Sequence, residues 1–416
     1  MKPKLSFLLN IALAALSASL IFLAAENEVV RRLELASLDL TFRLRGSIPY
    51  NSNIVLVEIT DSDIAKIGRW PWKRAWHAAM AKSLKELGAK TTYFDIVFSE
   101  ASSEEDDLVF EEATKLSKNV YLPFAFQGLP YEIDNALFPL KRFSSNARGL
   151  GAANIYADPD GAMRRMPLVF LTKDNLYPHA VLKVAMDYEG SGIKSLTGDR
   201  LILSKDKKEM KIPLVENNQM LINWPGRWQK TFRHYSFLDV LTCYKAVKDG
   251  RKPHVDPGDF KDSLCIVGIT AIGLYDIKPV PLEPEYPGIG VAASAINTIL
   301  SRDFIYTPPA WVDILIIYLL AFIPPFLIFG EKPLKEIFYV GLVVAAYFGL
   351  NFLLFTHKIR LELFTPILSL ITSYFTIGTY NFVRISIERQ RFFKLSVTDG
   401  LTGLYNIRYF KMLLET

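Results

Sequence analysis

The sequence predicts an α/β domain with an antiparallel β addition, accompanied by four transmembrane α-helices. Three observations predict this fold. Half of the 416 residues are hydrophobic, and four stretches reach the about 20 apolar residues that are needed to cross a bilayer. The long mixed segment between the first and second stretches alternates β-prone runs with helical patterns, which is typical of an α/β domain.

The four apolar stretches define the predicted membrane part of the chain. They run from Leu5 to Ala25, from Trp311 to Phe329, from Ile337 to Phe355 and from Leu363 to Val383. The first of them, within residues 1–25, is either an anchor or a cleaved signal peptide, because two lysines precede it and two alanines end it. It is longer than a usual signal h-region of about 7 to 15 residues, so we favour an uncleaved anchor. The other three stretches form a predicted membrane region at residues 311–383.

Residues 26–305 form the predicted folded domain, which begins with an amphipathic helix over residues 26–46. Strands and helices then alternate, as expected for a parallel sheet: strand Ile54–Ile59, helix Arg74–Leu87, strand Thr91–Phe98, helix Glu104–Ser117 and strand Val120–Phe126. We predict that Asn154–Thr172 is a hairpin around Ala-Asp-Pro-Asp-Gly, with further short antiparallel strands near Leu201, Ile212 and Leu221. A helix near Phe237–Val247, a strand at Ser263–Thr270 and a helix at Gly290–Arg302 complete the domain.

Basic residues next to the apolar stretches predict the orientation, because Lys and Arg are retained in the cytoplasm. Lys2 and Lys4 precede the first stretch, and residues 384–398, rich in Arg and Lys, follow the last. Four crossings then place both termini in the cytoplasm and residues 26–305 outside it. Lys358 and Arg360, in an outer loop, conflict with this orientation but are outweighed. The net charge of +5 follows from these flanks and does not indicate nucleic-acid binding.

Asp95 is a candidate ligand contact, because it lies at the carboxyl end of a predicted strand, the edge where open α/β sheets bind ligands. The alternative is that it caps the following loop. Arg164 and Arg165 are candidates for an anionic signal, although neighbours on a strand face opposite ways and only one can point into a site. Asp158 and Asp160 either bind a cation or form an Asp-Gly turn, and we favour the turn.

Two further groups of residues are interpreted as packing. Trp70, Trp72 and Trp76 surround a proline turn and a helix start, where aromatic rings fill a core more often than they stack on a ligand. Cys243 and Cys265 are interpreted as separate core cysteines, with a disulfide as the alternative. The scattered histidines and cysteines do not have the spacing of a zinc site, and we predict no metal site.

Several short motifs lie in a fixed order along residues 26–305: Gly68-Arg-Trp-Pro-Trp-Lys-Arg74, Phe94-Asp-Ile-Val-Phe98, Asp158-Pro-Asp-Gly161 with Arg164 and Arg165, Cys265-Ile-Val-Gly268 with Asp276, and Pro287-Gly-Ile-Gly290. In these motifs the segment resembles the CHASE type 2 family of bacterial sensor domains. The resemblance implies a receptor of the bacterial inner membrane with its sensor outside the cytoplasm. It makes Asp95, Arg164 and Asp276 the candidate ligand-binding residues, and the signal itself stays unknown.

Residues 399–416 carry a second resemblance. Asp399-Gly-Leu-Thr-Gly-Leu-Tyr-Asn-Ile-Arg-Tyr-Phe410 is similar to the opening D-x-L-T-G-L-x-N-R-R-x-F of GGDEF domains, with Ile407 as the departure. GGDEF domains are diguanylate cyclases. The resemblance implies a signalling turn formed by Asp399, Asn406 and Arg408, with Asp399 paired to Arg408. An ordinary helix start, capped by Asp399 or Thr402, is the alternative.

These features together predict a receptor that couples an extracytoplasmic stimulus to a cyclase through the signalling helix 384–398. The metal and guanine contacts of the family lie downstream of its opening motif, so we expect a truncated domain and an inactive chain. GTP and Mg²⁺ are expected only for the missing part, and the receptor is expected to be a homodimer. A non-enzymatic receptor that acts through a partner, and a transporter or assembly factor, are the alternatives.

Overall fold

The computed structural model describes residues 3–129, 131–173, 175–273, 276–328, 333–400 and 402–415. It divides into two compact units. Residues 39–307 form the first, called here the α/β unit. Residues 1–38 together with 308–416 form the second, called the helical unit.

The chain begins with helices α1 (Pro3–Ala24) and α2 (Glu28–Arg45), and the boundary between the units falls within α2. The first half of the α/β unit then contains β1 (Ile54–Ile59), α3 (Asp61–Ile67), α4 (Arg74–Glu86), β2 (Thr91–Phe94), α5 (Glu104–Ser117), β3 (Val120–Phe124), α6 (Lys141–Ser144), β4 (Gly149–Ala152), β5 (Arg165–Pro167), β6 (Val169–Leu171) and β7 (Leu176–Pro178). Its second half contains α7 (Ala180–Glu189), β8 (Gly192–Thr197), β9 (Arg200–Lys205), β10 (Lys208–Pro213), β11 (Gln219–Leu221), β12 (Arg233–Ser236), α8 (Phe237–Lys248), β13 (Leu264–Ile269), β14 (Ile277–Val280), β15 (Glu283–Pro287) and α9 (Gly288–Leu300).

A six-stranded sheet in the order β12-β1-β13-β2-β3-β4 forms the centre of the α/β unit. All five pairings are parallel, so the predicted parallel sheet is confirmed. Strand β13, which comes late in the chain, lies between β1 and β2. Its apolar run of Leu-Cys-Ile-Val-Gly-Ile suits this central place, because strands of a parallel sheet are covered on both faces.

Helices cover both faces of this sheet. Helices α4, α5, α6 and α8 supply the core on one face, where Phe94, Phe110 and Phe237 are fully buried. Helix α9 packs on β1 and β13 from the other face, and α7 packs on β3 and β4. This layered arrangement leaves the carboxyl edge of the strands to the loops, which is the edge where a ligand site was predicted.

The predicted aromatic and cysteine packing is found in the same core. Trp72 is buried, and Trp70 and Trp76 pack against the same cluster. Cys243 and Cys265 are both buried and free, so the interpretation as separate core cysteines is confirmed.

The predicted hairpin over Asn154–Thr172 is wrong, although the antiparallel addition exists. Strand β5 pairs with β11, and β6 pairs with β7. The turn itself forms, because Gly161 N donates to Asp158 O at 2.8 Å and Gly161 has a φ of +85°. Side chains of this turn bond Arg164 instead of placing two strands side by side. A separate antiparallel sheet has the order β10-β9-β8.

The helical unit contains α1 together with α10 (Ala310–Ala321), α11 (Pro324–Leu327), α12 (Pro333–Thr356), α13 (Phe364–Val397) and α14 (Ile407–Glu415). Three helical segments among the described residues are long and apolar enough to cross a membrane: Leu5–Ala24, Ala310–Leu327 and Leu334–Thr356. The prediction of four such helices is therefore corrected to three.

Helix α13, which contains the fourth predicted stretch, is less apolar because it contains several hydroxyl side chains, and two of them bond its neighbour α10. Ser369 Oγ donates to Ile317 O at 3.1 Å, and Ser373 Oγ donates to Ala321 O at 2.7 Å. Both serines are fully buried. These serines lower the hydropathy of α13. Their hydroxyl groups are nevertheless satisfied, because each of them bonds a backbone carbonyl of α10.

Candidate functional site

The carboxyl edge of the sheet carries the first candidate site. Asp95 directly follows β2, its backbone N donates to Val267 O at 2.8 Å, and its carboxylate accepts a 3.0 Å hydrogen bond from Tyr93 Oη. Burial raises the pKa of Asp95, the bond from Tyr93 partly offsets this, and the negative charge of Asp276 raises it further. Asp95 is therefore a carboxyl group that protonates more readily than one in water.

Asp276 reaches the same edge from the loop after β13. Its side chain is exposed and pairs with Lys278 Nζ at 2.7 Å, and its carbonyl accepts from Gly288 N, the first residue of α9, at 3.0 Å. A methyl group at Gly268 would lie 2.1 Å from Ile289 Cγ2, so glycine is needed there for α9 to approach the sheet. The structure thus brings two predicted residues, Asp95 and Asp276, to one edge.

Neighbouring carboxylates at this edge are used by the fold. Asp61 accepts from Ile272 N at 3.1 Å. Asp63 accepts from Thr60 N at 2.9 Å and from Leu238 N at 3.2 Å, and so caps α3 and helps to cap α8. Within the described residues, no group of three or more His, Cys, Asp or Glu side chains is placed to hold a metal ion. Asp95 and Asp276 as ligand contacts stay a prediction.

Arg164, the third candidate, lies in a separate buried cluster of charges. Its side chain is 1% exposed. Nε and Nη2 donate to the two Asp39 oxygens at 2.7 Å each, and the remaining bonds go to Asp158 at 3.0 Å and to Asp160 at 2.7 and 2.9 Å. These five bonds match the five donors of a guanidinium. Arg164 as a ligand contact stays a prediction. In this conformation its guanidinium donates to the chain's own carboxylates.

Sequence reasoning did not single out Asp39, which completes this cluster. It lies on α2 between Leu35 and Phe42, which are both buried. The sequence could have indicated Asp39, because it is a carboxylate on the apolar face of an amphipathic helix and buried charges are nearly always paired.

The same reasoning missed Glu34, which is 7% exposed and caps α13 in the helical unit. Glu34 Oε1 accepts from Leu363 N at 2.7 Å, and Oε2 accepts from Phe364 N at 2.9 Å and from Thr365 N at 3.0 Å. The first backbone N–H groups of a helix have no partner within the helix, and negative charge there opposes the helix dipole. Glu34 therefore fixes the start of α13.

Residues of α10 and α12 hold the segment just before this helix. Asp313 Oδ1 accepts from Glu362 N at 3.1 Å, Asn351 Nδ2 donates to the Glu362 carbonyl at 3.2 Å, and Tyr347 Oη donates to the same carbonyl. Burial, together with the charges of Glu34 and Asp313, raises the pKa of Glu362 to about 7. The group formed by Glu34, Asp313 and Glu362 is called the acidic cap below.

At the other end of α13, the described residues of the C-terminal segment form a hydrogen-bonded turn. Asp399 N donates to Leu404 O at 2.7 Å, and the Asp399 carboxylate accepts from Thr402 N at 3.0 Å. Asn406 Nδ2 donates to Ser396 O at 2.7 Å, and Asn406 Oδ1 accepts from Tyr409 N at 3.0 Å, which caps α14. The predicted pairing of Asp399 with Arg408 stays a prediction, and Leu401 of the motif lies outside the described residues.

A parallel α/β unit in a chain that also has three long apolar helices among its described residues fits a membrane protein with a large folded domain. Residues 12–324, more than half of the chain, match the family model described as the CHASE2 domain. The chain therefore belongs to the CHASE2 family, whose domains are extracytoplasmic sensors. The curated proteins and the solved structures give no match. The family match does not reach residues 399–416, so the GGDEF resemblance of those residues stays a prediction.

Proposed function

We propose that the chain is a bacterial inner-membrane receptor that senses an extracytoplasmic stimulus and passes it to a diguanylate cyclase domain, of which residues 399–416 are the opening. The observation that carries the proposal is the continuity of α13. One helix of 34 residues begins at the acidic cap and ends at Val397. The turn that contains Asp399 follows it directly. A change in the packing of the cap would therefore reach the turn through a single element.

The proposed topology places both termini in the cytoplasm and residues 26–305 outside it. With three strongly apolar helices, this topology requires α13 to cross the membrane as well. Its support is the packing of α13 along α10, where Ser369 and Ser373 find backbone partners, because polar groups in lipid must be satisfied by neighbouring helices. Reporter fusions in the turn at Asp206 and after Thr416 test it. We expect a periplasmic signal from the first and a cytoplasmic signal from the second, and the reverse at either position contradicts the topology.

The receptor is proposed to act as a homodimer. Joining two GTP molecules into a cyclic dinucleotide requires two active sites that face each other, with Mg²⁺ and GTP bound by the catalytic part downstream of the opening motif. Rotation or translation of α13 in each copy would change how the two active sites face each other.

Insertions in α13 test this coupling. Residues 1–398 are joined to a cyclase domain of known activity, and one to seven alanines are inserted after Arg389. Each inserted residue turns the helix by about 100°, so we expect cyclic dinucleotide output that rises and falls with a period of about 3.6 residues. The matched control places the same insertions in the turn between Asp206 and Lys207, where the output should not oscillate. Equal output at every length of the α13 series contradicts the coupling.

A specific observation also supports a non-enzymatic receptor that acts through a partner. Helix α14 exposes large apolar side chains, with Phe410 at 55%, Leu413 at 51% and Leu414 at 72% exposure. Such a face suits either the body of a cyclase domain or the surface of a partner. Cellular cyclic dinucleotide, measured with the native gene present and deleted, separates the two functions, because only the cyclase predicts a loss on deletion.

A further inference from the structure

We propose that the helical unit binds an anionic phospholipid whose headgroup carries hydroxyl groups, such as phosphatidylglycerol, in a cavity formed by α1, α11 and α13. The cavity has a volume of about 350 Å³, within the range of about 300 to 1,000 Å³ that is usual for small-molecule sites. Helix α1 contributes Ser6 and Asn10, and α13 contributes Asn381 and Arg384. Phe7 and Phe326 form an apolar wall.

Two buried polar atoms at this cavity have no hydrogen-bond partner among the described residues. Asn10 is only 7% exposed, and its Oδ1 accepts no hydrogen bond. Arg384 Nε is also buried without a partner. Leaving a buried polar group without a hydrogen bond destabilises the fold, and the cost is greater if the group is charged. Unsatisfied buried polar groups are rare in native proteins and need an explanation, and an ionisable residue among membrane helices is a candidate functional site.

The two atoms need different hydrogen-bond partners, because one is a donor and the other is an acceptor. Arg384 Nε–H is a donor on a cation and needs an anionic acceptor, for which a phosphate oxygen is well suited. Asn10 Oδ1 is an acceptor and needs a donor. A phosphodiester next to a hydroxyl group supplies both, whereas a free phosphodiester without a hydroxyl supplies only the first. A phosphoglycerol headgroup combines the two, and its hydroxyl donates without bringing a second positive charge, such as the ammonium of ethanolamine, next to Arg384.

The place of the cavity suits a lipid. Asn10 lies near the start of the apolar helix Leu5–Ala24, and Ile328, which also lines the cavity, directly follows the apolar helix Ala310–Leu327. Arg384 directly follows the predicted apolar stretch Leu363–Val383. Asn10 and Arg384 therefore lie near the borders of apolar segments, where headgroups are found, and the phenyl rings offer an apolar surface to acyl chains. Basic pockets between membrane helices are known sites for anionic headgroups. The inference is independent of the proposed cyclase coupling.

The test measures lipids retained by the purified full-length chain in detergent, by native mass spectrometry. Phosphatidylglycerol is compared with phosphatidylmethanol, which has the same charge and no hydroxyl group, and with phosphatidylcholine. We expect retention in that order, from strongest to weakest. Equal retention of the two anionic lipids, or no retention of either, overturns the proposal. Loss of the lipid to excess inorganic phosphate also overturns it, because it assigns the cavity to a free anion.

Variants locate the site. Arg384→Gln should weaken phosphatidylglycerol binding by about tenfold or more, the usual size of one charge-assisted hydrogen bond. The matched control is Arg389→Gln, an exposed arginine on the same helix, which should leave binding within about twofold. Asn10→Leu should remove the preference for phosphatidylglycerol over phosphatidylmethanol. Equal weakening by Arg384→Gln and Arg389→Gln indicates general attraction to basic residues and contradicts the assigned site.

Discussion

Glu34 and Thr365 are 331 residues apart in the chain, yet Glu34 Oε2 accepts hydrogen bonds from both the backbone nitrogen and the hydroxyl of Thr365, at 3.0 and 3.1 Å. A helix is usually capped by the residue just before it, and here the cap comes from another helix. The start of α13 therefore depends on the position of α2.

Replacing the cap should destabilise the helical unit. Glu34→Ala leaves the first N–H groups of α13 without their acceptor, and we expect a loss of about 1–3 kcal/mol. The control is Glu28→Ala on the same helix, whose carboxylate is exposed and bonds only Arg32 among the described contacts. Thermal unfolding in detergent measures both variants, and equal losses would contradict the cap.

The acidic cap should make stability depend on pH through Glu362. Its pKa is raised from 4.5 to about 7 by burial and by the charges of Glu34 and Asp313, so the folded state binds this proton more tightly than the unfolded state. The contribution of Glu362 to stability is then greatest at pH values below 4.5 and is lost as the pH rises through 7. Glu362→Gln should unfold at a higher temperature than the wild type above pH 7, and the gap should close below pH 4.5. A gap that stays constant over this window contradicts the assignment.

Arg164 should be among the least replaceable residues of the α/β unit. Arg164→Met fits an apolar side chain but leaves the carboxylates of Asp39 and Asp160 without their cation, and Asp158 keeps only the longer contact of 3.7 Å with Arg165 Nε. Breaking a buried ion pair in this way costs about 3–5 kcal/mol. Arg200→Met breaks an exposed pair with Asp199 and should cost less than about 1 kcal/mol. Denaturant unfolding compares the two. If Arg164→Met were as mild as Arg200→Met, the carboxylates would have to be satisfied without the guanidinium.

His234 provides a second pH dependence, with the same sign. Its Nδ1 lies 2.7 Å from Glu58 Oε1 and its Nε2 lies 2.7 Å from the Thr231 carbonyl. Both partners are acceptors, and the doubly protonated ring satisfies both. Burial alone would lower the pKa of His234, but the hydrogen bond to Glu58 and its charge outweigh burial and raise it above 6.5.

The contribution of this pair to stability should be complete below pH 6.5 and should disappear as the pH rises through the raised value. His234→Gln should therefore lose most at acidic pH and progressively less in alkaline buffer. His254→Gln, at a half-exposed histidine beside Asp239, is the control, and thermal unfolding over a pH series measures both. A loss at His234 that grows with pH contradicts the protonated pair.

The sequence predicted those strands and helices well whose bounds depend on neighbouring residues in the chain. Strand β1 and helix α5 have the predicted bounds, since a β-branched run and an acidic helix start are local signals. Strand β2 ends at Phe94 instead of Phe98, although Asp95 N still donates to Val267 O of the neighbouring strand. The hairpin prediction failed because Arg164 draws Asp158 and Asp160 to itself, and a contact with Asp39 cannot be read from a turn motif.

The candidate site was predicted only in part for the same reason. Asp95 follows a recognisable strand, so its place at the sheet edge could be foreseen. Glu34 caps a helix that begins more than three hundred residues later, and the residues next to Glu34 in the sequence do not indicate that partner. The fourth membrane helix was overestimated because the stretch Leu363–Val383 was judged mainly by its length, although hydroxyl side chains such as those of Ser369 and Ser373 lower its hydropathy.

The length of α13 has an evolutionary consequence. Its 34 residues measure about 51 Å, well beyond the about 30 Å of a hydrocarbon core. Both of its ends are pinned by hydrogen bonds, at Glu34 and at the Asp399 turn. Exchanging a side chain along its exposed sides alters neither end, but deleting one residue twists one end against the other by about 100°. Natural variants of this protein should therefore differ in the residue types along this helix while keeping the number of its residues.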